Sequence, residues 1–148
     1  TQRDMDVATR MARIANLSLE ELGKAIFSAT CGDDKTVEAM LHTDYKEFHI
    51  AGHNLAVSQI TCMDSDRLMA RKEEFLSAME TVHQQRGLNT VVLMITDVLL
   101  EGTWLLYVGD EDTIEQAFGL RGAKNSAFLP KIMSRKKQVI PTLSALWG

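Results

Sequence analysis

Four consecutive residues near the C-terminus, Ser134, Arg135, Lys136 and Lys137 in the stretch SRKKQ, carry the strongest chemical signal in the chain. A serine directly before apolar residues at helical spacing is a helix N-cap signal. Three cations then fill the first turn, where the helix dipole favours negative charge. Like charges placed there repel one another and the dipole. Two readings follow. The run is a solvated surface charge cluster, or it is an anion site in which the bound anion offsets the repulsion. The second has a mechanism: helix N-terminal amides attract phosphate, arginine grips its oxygens in a bidentate fork, and lysine adds a compact charge.

Lys46 is the second candidate. Alternation in YKEFHI puts Lys46, Phe48 and Ile50 on one strand face, with Tyr45, Glu47 and His49 on the other. A lysine on an apolar face either snorkels to the surface or emerges at a pocket and meets an anion. His42, His49, His53 and His83 form no HxxxH or HExxH pattern and read as structural. The DSD at 64–66 suggests a metal less than it suggests a helix cap. Asp97 ends an apolar strand run, where a catalytic role and a turn or cap role are both open. The sequence shows no Gly-rich phosphate loop, GxSxG elbow or Cys/His nucleophile pair. It therefore offers cations for an anion and no activator of water.

The elements that must position these residues are read from periodicity and punctuation. Two helices are expected over residues 1–30, each opening on a capping-box pattern (Thr1 with Asp4, Ser18 with Glu21). A turn and a short helix follow to Asp44, then a hairpin about Ala51 and Gly52. The clearest helix runs from the Asp64/Ser65 cap to Gly87. TVVLMITDVLL and GTWLLYVGD read as strands of a central sheet covered on both faces, separated by Glu101 and Gly102. A short helix ends near Gly119, a loop with a short strand follows, and SRKKQVIPTLSALW closes the chain as a helix or a turn plus helix. Ile140 precedes Pro141, so a break or kink is expected there. The class is α/β: one domain, a mixed β-sheet of about five strands flanked by α-helices.

With 148 residues the chain suits a single domain. A net charge of -4 argues against a general nucleic-acid binder while leaving room for a local basic pocket. Only Cys31 and Cys62 are present, which fits neither a disulfide framework nor a zinc site and points to the cytoplasm. No apolar run is long enough for a membrane span, and the N-terminal residues Arg3, Asp4 and Asp6 do not fit a signal peptide. The chain starts at Thr1 rather than at methionine, so an excised domain is expected.

FLPKIMSRKKQVIPTL resembles the C-terminal signature of family II, manganese-dependent inorganic pyrophosphatases. TDYKEFHIAG, SQITCMD and VVLMITDVLLEGTWLLYVG support the resemblance in the same order, from about Thr30 onward. The whole chain, residues 1–148, resembles the DHHA type 2 domain of such enzymes, with 1–30 similar to the helical segment that follows the interdomain linker. The resemblance implies an N-terminal DHH domain, absent from this chain, that holds manganese, or alternatively cobalt or magnesium, on His and Asp ligands. It implies that this domain binds pyrophosphate through Lys46, Arg135 and Lys136, with Ser134 and Lys137 in support. It also implies that closure of the two domains assembles the site, that this chain alone is inactive, and that the full-length protein forms a homodimer. Two alternatives remain open: a non-catalytic phosphate- or nucleotide-binding regulatory module, and part of a related exopolyphosphatase or phosphoesterase.

Overall fold

The computed structural model describes residues 36–147 other than residue 121, so the helices expected over residues 1–30 lie outside the described residues. In chain order the elements are α1 (Val37–Thr43), β1 (Tyr45–Ile50), β2 (His53–Cys62), α2 (Ser65–Met69), α3 (Lys72–Arg86), β3 (Thr90–Asp97), β4 (Gly102–Gly109), α4 (Glu111–Phe118), β5 (Ser126–Pro130), a π-helical turn (Arg135–Val139) and α5 (Ile140–Trp147). The five strands form one sheet in the order β1-β2-β3-β4-β5. Among the described residues only β2 and β3 run parallel, and the α2–α3 segment supplies the crossover that parallel strands require. The mixed five-stranded sheet with flanking helices is therefore as expected.

All eight residues of β3 are buried, which accounts for its unbroken apolar run. Ala56, Val91, Leu93, Ile95, Leu106 and Val108 face α1, α2 and α3. Leu55, Val57, Val92, Met94, Leu105 and Tyr107 face Ile114 of α4, Val139 of the π-helical turn and Leu143 of α5. The molecule is thus three layers, and the cation-rich segment lies in the second helical layer.

The hairpin turn at Ala51 and Gly52 has φ of 50° and 84°, a left-handed pair that matches strand twist. It fixes the register in which Lys46 pairs with Val57 and Phe48 with Leu55. Phe48 and Ile50 pack on the second face and Tyr45 on the first, so Lys46 stands on the face that carries the SRKKQ segment. The other side of β1 is clamped to α3. Arg86 donates to Glu47 from Nε (2.8 Å) and Nη2 (2.9 Å), and the Tyr45 hydroxyl donates to the same carboxylate at 2.7 Å.

One expected helix is two. Between α2 and α3, Arg71 leaves helical geometry (φ -103°, ψ 20°). The first turn is tied to the sheet: the Ser65 N–H and hydroxyl both donate to Asp97 Oδ2, at 3.1 and 2.8 Å. Asp64, at the cap position, makes no side-chain cap bond. A tertiary tether thus sets the direction of α2, while α3 follows its own apolar stripe through Phe75, Met79 and Val82. Asp97 Oδ1 accepts from the Leu99 and Leu100 amides, both at 3.0 Å. Its carboxylate is consumed by turn and cap, which decides between the two roles open to it.

Two outcomes test this packing. The Arg86 and Tyr45 bonds hold the Glu47 carboxyl down at about 2, against an ordinary 4.5. A lowered folded value means that its contribution is complete above the ordinary carboxylate range and is lost as pH falls from about 4.5 towards 2. Thermal unfolding followed from pH 6 downward should show a shallower acid limb in Glu47→Gln than in the wild type; parallel limbs would contradict the clamp. Burial, then the neighbouring Asp97 charge, pushes the Cys62 thiol up to about 12. Iodoacetamide at pH 8 should leave Cys62 unmodified in the native chain and label it in denaturant, as read by peptide mass.

Candidate functional site

The segment between β5 and the π-helical turn is short, irregular and tied at nearly every polar atom. The Lys131 amide donates to Glu101 O at 2.7 Å. The Thr103 hydroxyl donates to Ile132 O, and Gln59 Nε2 donates to Met133 O at 2.9 Å and to Thr96 Oγ1 at 3.0 Å. Thr96 and Thr103 share a further hydrogen bond at 3.0 Å. Two strands, β2 and β4, therefore each contribute one polar side chain that holds this loop, and Thr96 of β3 between them links the two. Gln138 closes it from the other side: its Oε1 accepts from the Met133 and Ser134 amides (2.7 and 2.8 Å), and its Nε2 donates to Lys131 O at 2.8 Å. Gln59, Thr103 and Gln138 were not among the residues singled out from sequence. Only Gln138 left a local trace, as the last letter of SRKKQ.

Ser134 is the cap the sequence announces. It is extended (φ -113°, ψ 119°), and its Oγ accepts from the Lys137 amide at 3.0 Å. The turn it opens is π-helical: the Val139 amide reaches back to Ser134 O at 3.1 Å, and the Ile140 amide to Arg135 O. At the expected break the helix changes type, from π spacing through Val139 to α from Ile140. Ile140 keeps α geometry (φ -63°, ψ -45°) and the helix runs through Pro141. The wider turn explains this. Proline lacks an amide and crowds the carbonyl four residues back, and five-residue spacing in the preceding turn relieves that demand. Thr142 Oγ1 takes the Gln138 carbonyl at 2.7 Å.

The four cations are placed differently. Arg135 is 8% exposed. Its Nη1 donates to the carbonyls of Asp44 (2.9 Å) and Val57 (3.1 Å), and its Nη2 to Asp44 Oδ1 (2.9 Å). Its Nε–H and one Nη2 hydrogen have no protein acceptor among the described residues. Lys46, Lys136 and Lys137 are exposed, and none pairs with a carboxylate among the described residues. Lys46 is the register partner of Val57, whose carbonyl holds Arg135. A strand residue and a segment some ninety positions later are thus brought to one patch of the sheet, beside the carboxyl ends of the parallel strands β2 and β3.

The histidines do other work. His42 stacks on Tyr45, His53 stacks on Trp147 with centroids 4.3 Å apart, and His49 bonds to Asn54. Among the described residues no group of three or more His, Cys, Asp or Glu could hold a metal ion. Two clefts among the described residues, of about 420 and 520 Å³, lie elsewhere: one is lined by Glu38, His42, Tyr45 and Arg86, the other by Thr36, Arg71 and Glu74. Chemically the cation patch can bind and neutralise an anion.

Comparison with known proteins agrees with this geometry. The DHHA2 domain model matches residues 24–146. The chain is 35% identical over 147 residues to a Clostridium acetobutylicum protein named a probable manganese-dependent inorganic pyrophosphatase, covering 98% of this chain and 47% of that one. It is 34% identical to the manganese-dependent inorganic pyrophosphatase of Methanocaldococcus jannaschii, covering 100% of this chain and 49% of the relative. It is also 34% identical to the cobalt-dependent inorganic pyrophosphatase of Clostridium perfringens, covering 99% and 27%. A crystal structure assigned to the family II inorganic pyrophosphatases of Methanococcus jannaschii superposes with a TM-score of 0.76 at 31% identity, over 81% of this chain and 39% of that one. The chain thus spans half or less of the length of these relatives. With the model match covering most of the sequence, the chain belongs to the DHHA2 domain family.

Proposed function

We propose that this chain is the substrate-binding domain of a metal-dependent, cytoplasmic inorganic pyrophosphatase, and that Lys46, Arg135 and Lys136 hold the pyrophosphate, with Ser134 and Lys137 in support. The observation that carries the reading is the convergence of Lys46 with the SRKKQ segment at Val57, the register partner of Lys46, whose carbonyl accepts from Arg135. The names of the relatives supply the substrate. Manganese or cobalt, held by a DHH domain outside this sequence, would supply the activated water. The chain's own part is electrostatic. The exposed ammonium groups of Lys46 and Lys136 meet the ligand's oxygens as point charges, and Arg135 offers its two remaining N–H donors. As the bond to the leaving phosphate breaks, charge grows on that phosphate, and cations already fixed in place stabilise it without reorganisation. Ser134 holds the Lys137 amide and so the pitch of the turn that presents Lys136.

Two measurements check this. In the full-length protein, Arg135→Ala and Lys136→Ala should each lower pyrophosphate hydrolysis on the order of a hundredfold, at unchanged manganese affinity. Wild-type turnover in either variant would overturn the assignment. Calorimetry of this 148-residue chain without metal should show weak pyrophosphate binding at most, because the metal ions provide much of the attraction for the anion. Tight binding would contradict the division of labour between the domains.

A further inference from the structure

Arg135 differs from the other cations in being buried and internally bonded, and its carboxylate partner comes from the start of β1. Asp44 precedes Lys46 by two residues, and Arg135 precedes Lys136 by one. Two of the three guanidinium bonds go to Asp44, one to its carbonyl and one to its side chain. The third goes to the carbonyl of Val57, the residue paired with Lys46. The Asp44 carbonyl also accepts the Gln59 amide at 3.1 Å, and Gln59 holds the Met133 carbonyl. One small network therefore joins the strand that bears Lys46 to the turn that bears Lys136.

Resting on the pyrophosphate reading above, we infer that Asp44 is a positioning residue for the reaction: by holding Arg135 it sets the separation and approach of Lys46 and Lys136 to match one diphosphate. Two physical effects support this. A buried guanidinium is costly unless its charge is paired, so the paired arrangement is strongly preferred over one with Arg135 swung free. Asp44 also places a negative charge among four cations, which lowers the repulsion that would otherwise splay the loop in the absence of ligand. The carboxylate meets the guanidinium, not the substrate, so Asp44 acts through Arg135.

Steady-state kinetics on the full-length protein test this. Asp44→Asn should raise KM for pyrophosphate about tenfold with kcat changed less than threefold, and Asp44→Glu should recover most of the loss. A merely structural role would lower the unfolding midpoint and leave KM within twofold of wild type, and that result overturns the inference. Because Asp44→Asn leaves an unpaired buried cation, a second variant guards against misfolding: Asp44→Ser, shown to be folded by circular dichroism, should also raise KM, and a wild-type KM in that folded variant overturns the inference. Lys46→Ala and Lys136→Ala separate the two claims. If these leave KM unchanged, the pyrophosphate reading fails; if they raise it while Asp44→Asn does not, only the role of Asp44 fails.

Discussion

Three cations cannot be gathered at the head of a helix, with a fourth brought beside them from a distant strand, unless the backbone is held against their repulsion. The buried guanidinium of Arg135 provides the central hold. It donates to the carboxylate and carbonyl of Asp44 and to the carbonyl of Val57. Around it, Gln59, Thr103 and Gln138 bind the three carbonyls that precede Ser134. With these acceptors occupied, Lys46, Lys136 and Lys137 can remain exposed without carboxylate partners among the described residues.

The sheet makes this possible through its parity. Alternate residues of β2, β3 and β4 that face α4 and α5 are apolar in the middle of the sheet, at Val57, Met94 and Leu105. At one end, on the same parity, they become Gln59, Thr96 and Thr103. The core therefore changes into a polar anchor along the same strands. The π-helical turn belongs to the same arrangement. It runs directly into α5, so the cap at Ser134 and the apolar contact of Leu143 lie on adjoining helical turns.

Features written in local pattern were legible in the sequence. The alternation of YKEFHI placed Lys46 on the correct face, the Ala51–Gly52 pair marked the hairpin, and Ser134 announced its cap. The division at Arg71 was not legible, because it comes from a bond between Ser65 and Asp97, thirty-two positions apart. The α geometry of Ile140 was not legible because the clash that disfavours it before proline is local, and the helical turns on either side outweigh it. Asp44 escaped notice for a related reason: an acidic residue before a strand is common, and only the tertiary fold pairs it with Arg135, ninety-one positions later. SRKKQ showed that cations gather there, but not that one of them turns inward.

The central claim is that Lys46 and the SRKKQ segment form one anion site whose spacing is held from within. A crystal structure of the full-length protein with a bridging-nitrogen analogue of pyrophosphate tests it most directly. The account requires analogue oxygens within hydrogen-bond distance of Nζ on both Lys46 and Lys136, with the Asp44–Arg135 pair still closed. An analogue bound away from these lysines, for instance in the cleft beside Tyr45 and Arg86, would contradict it.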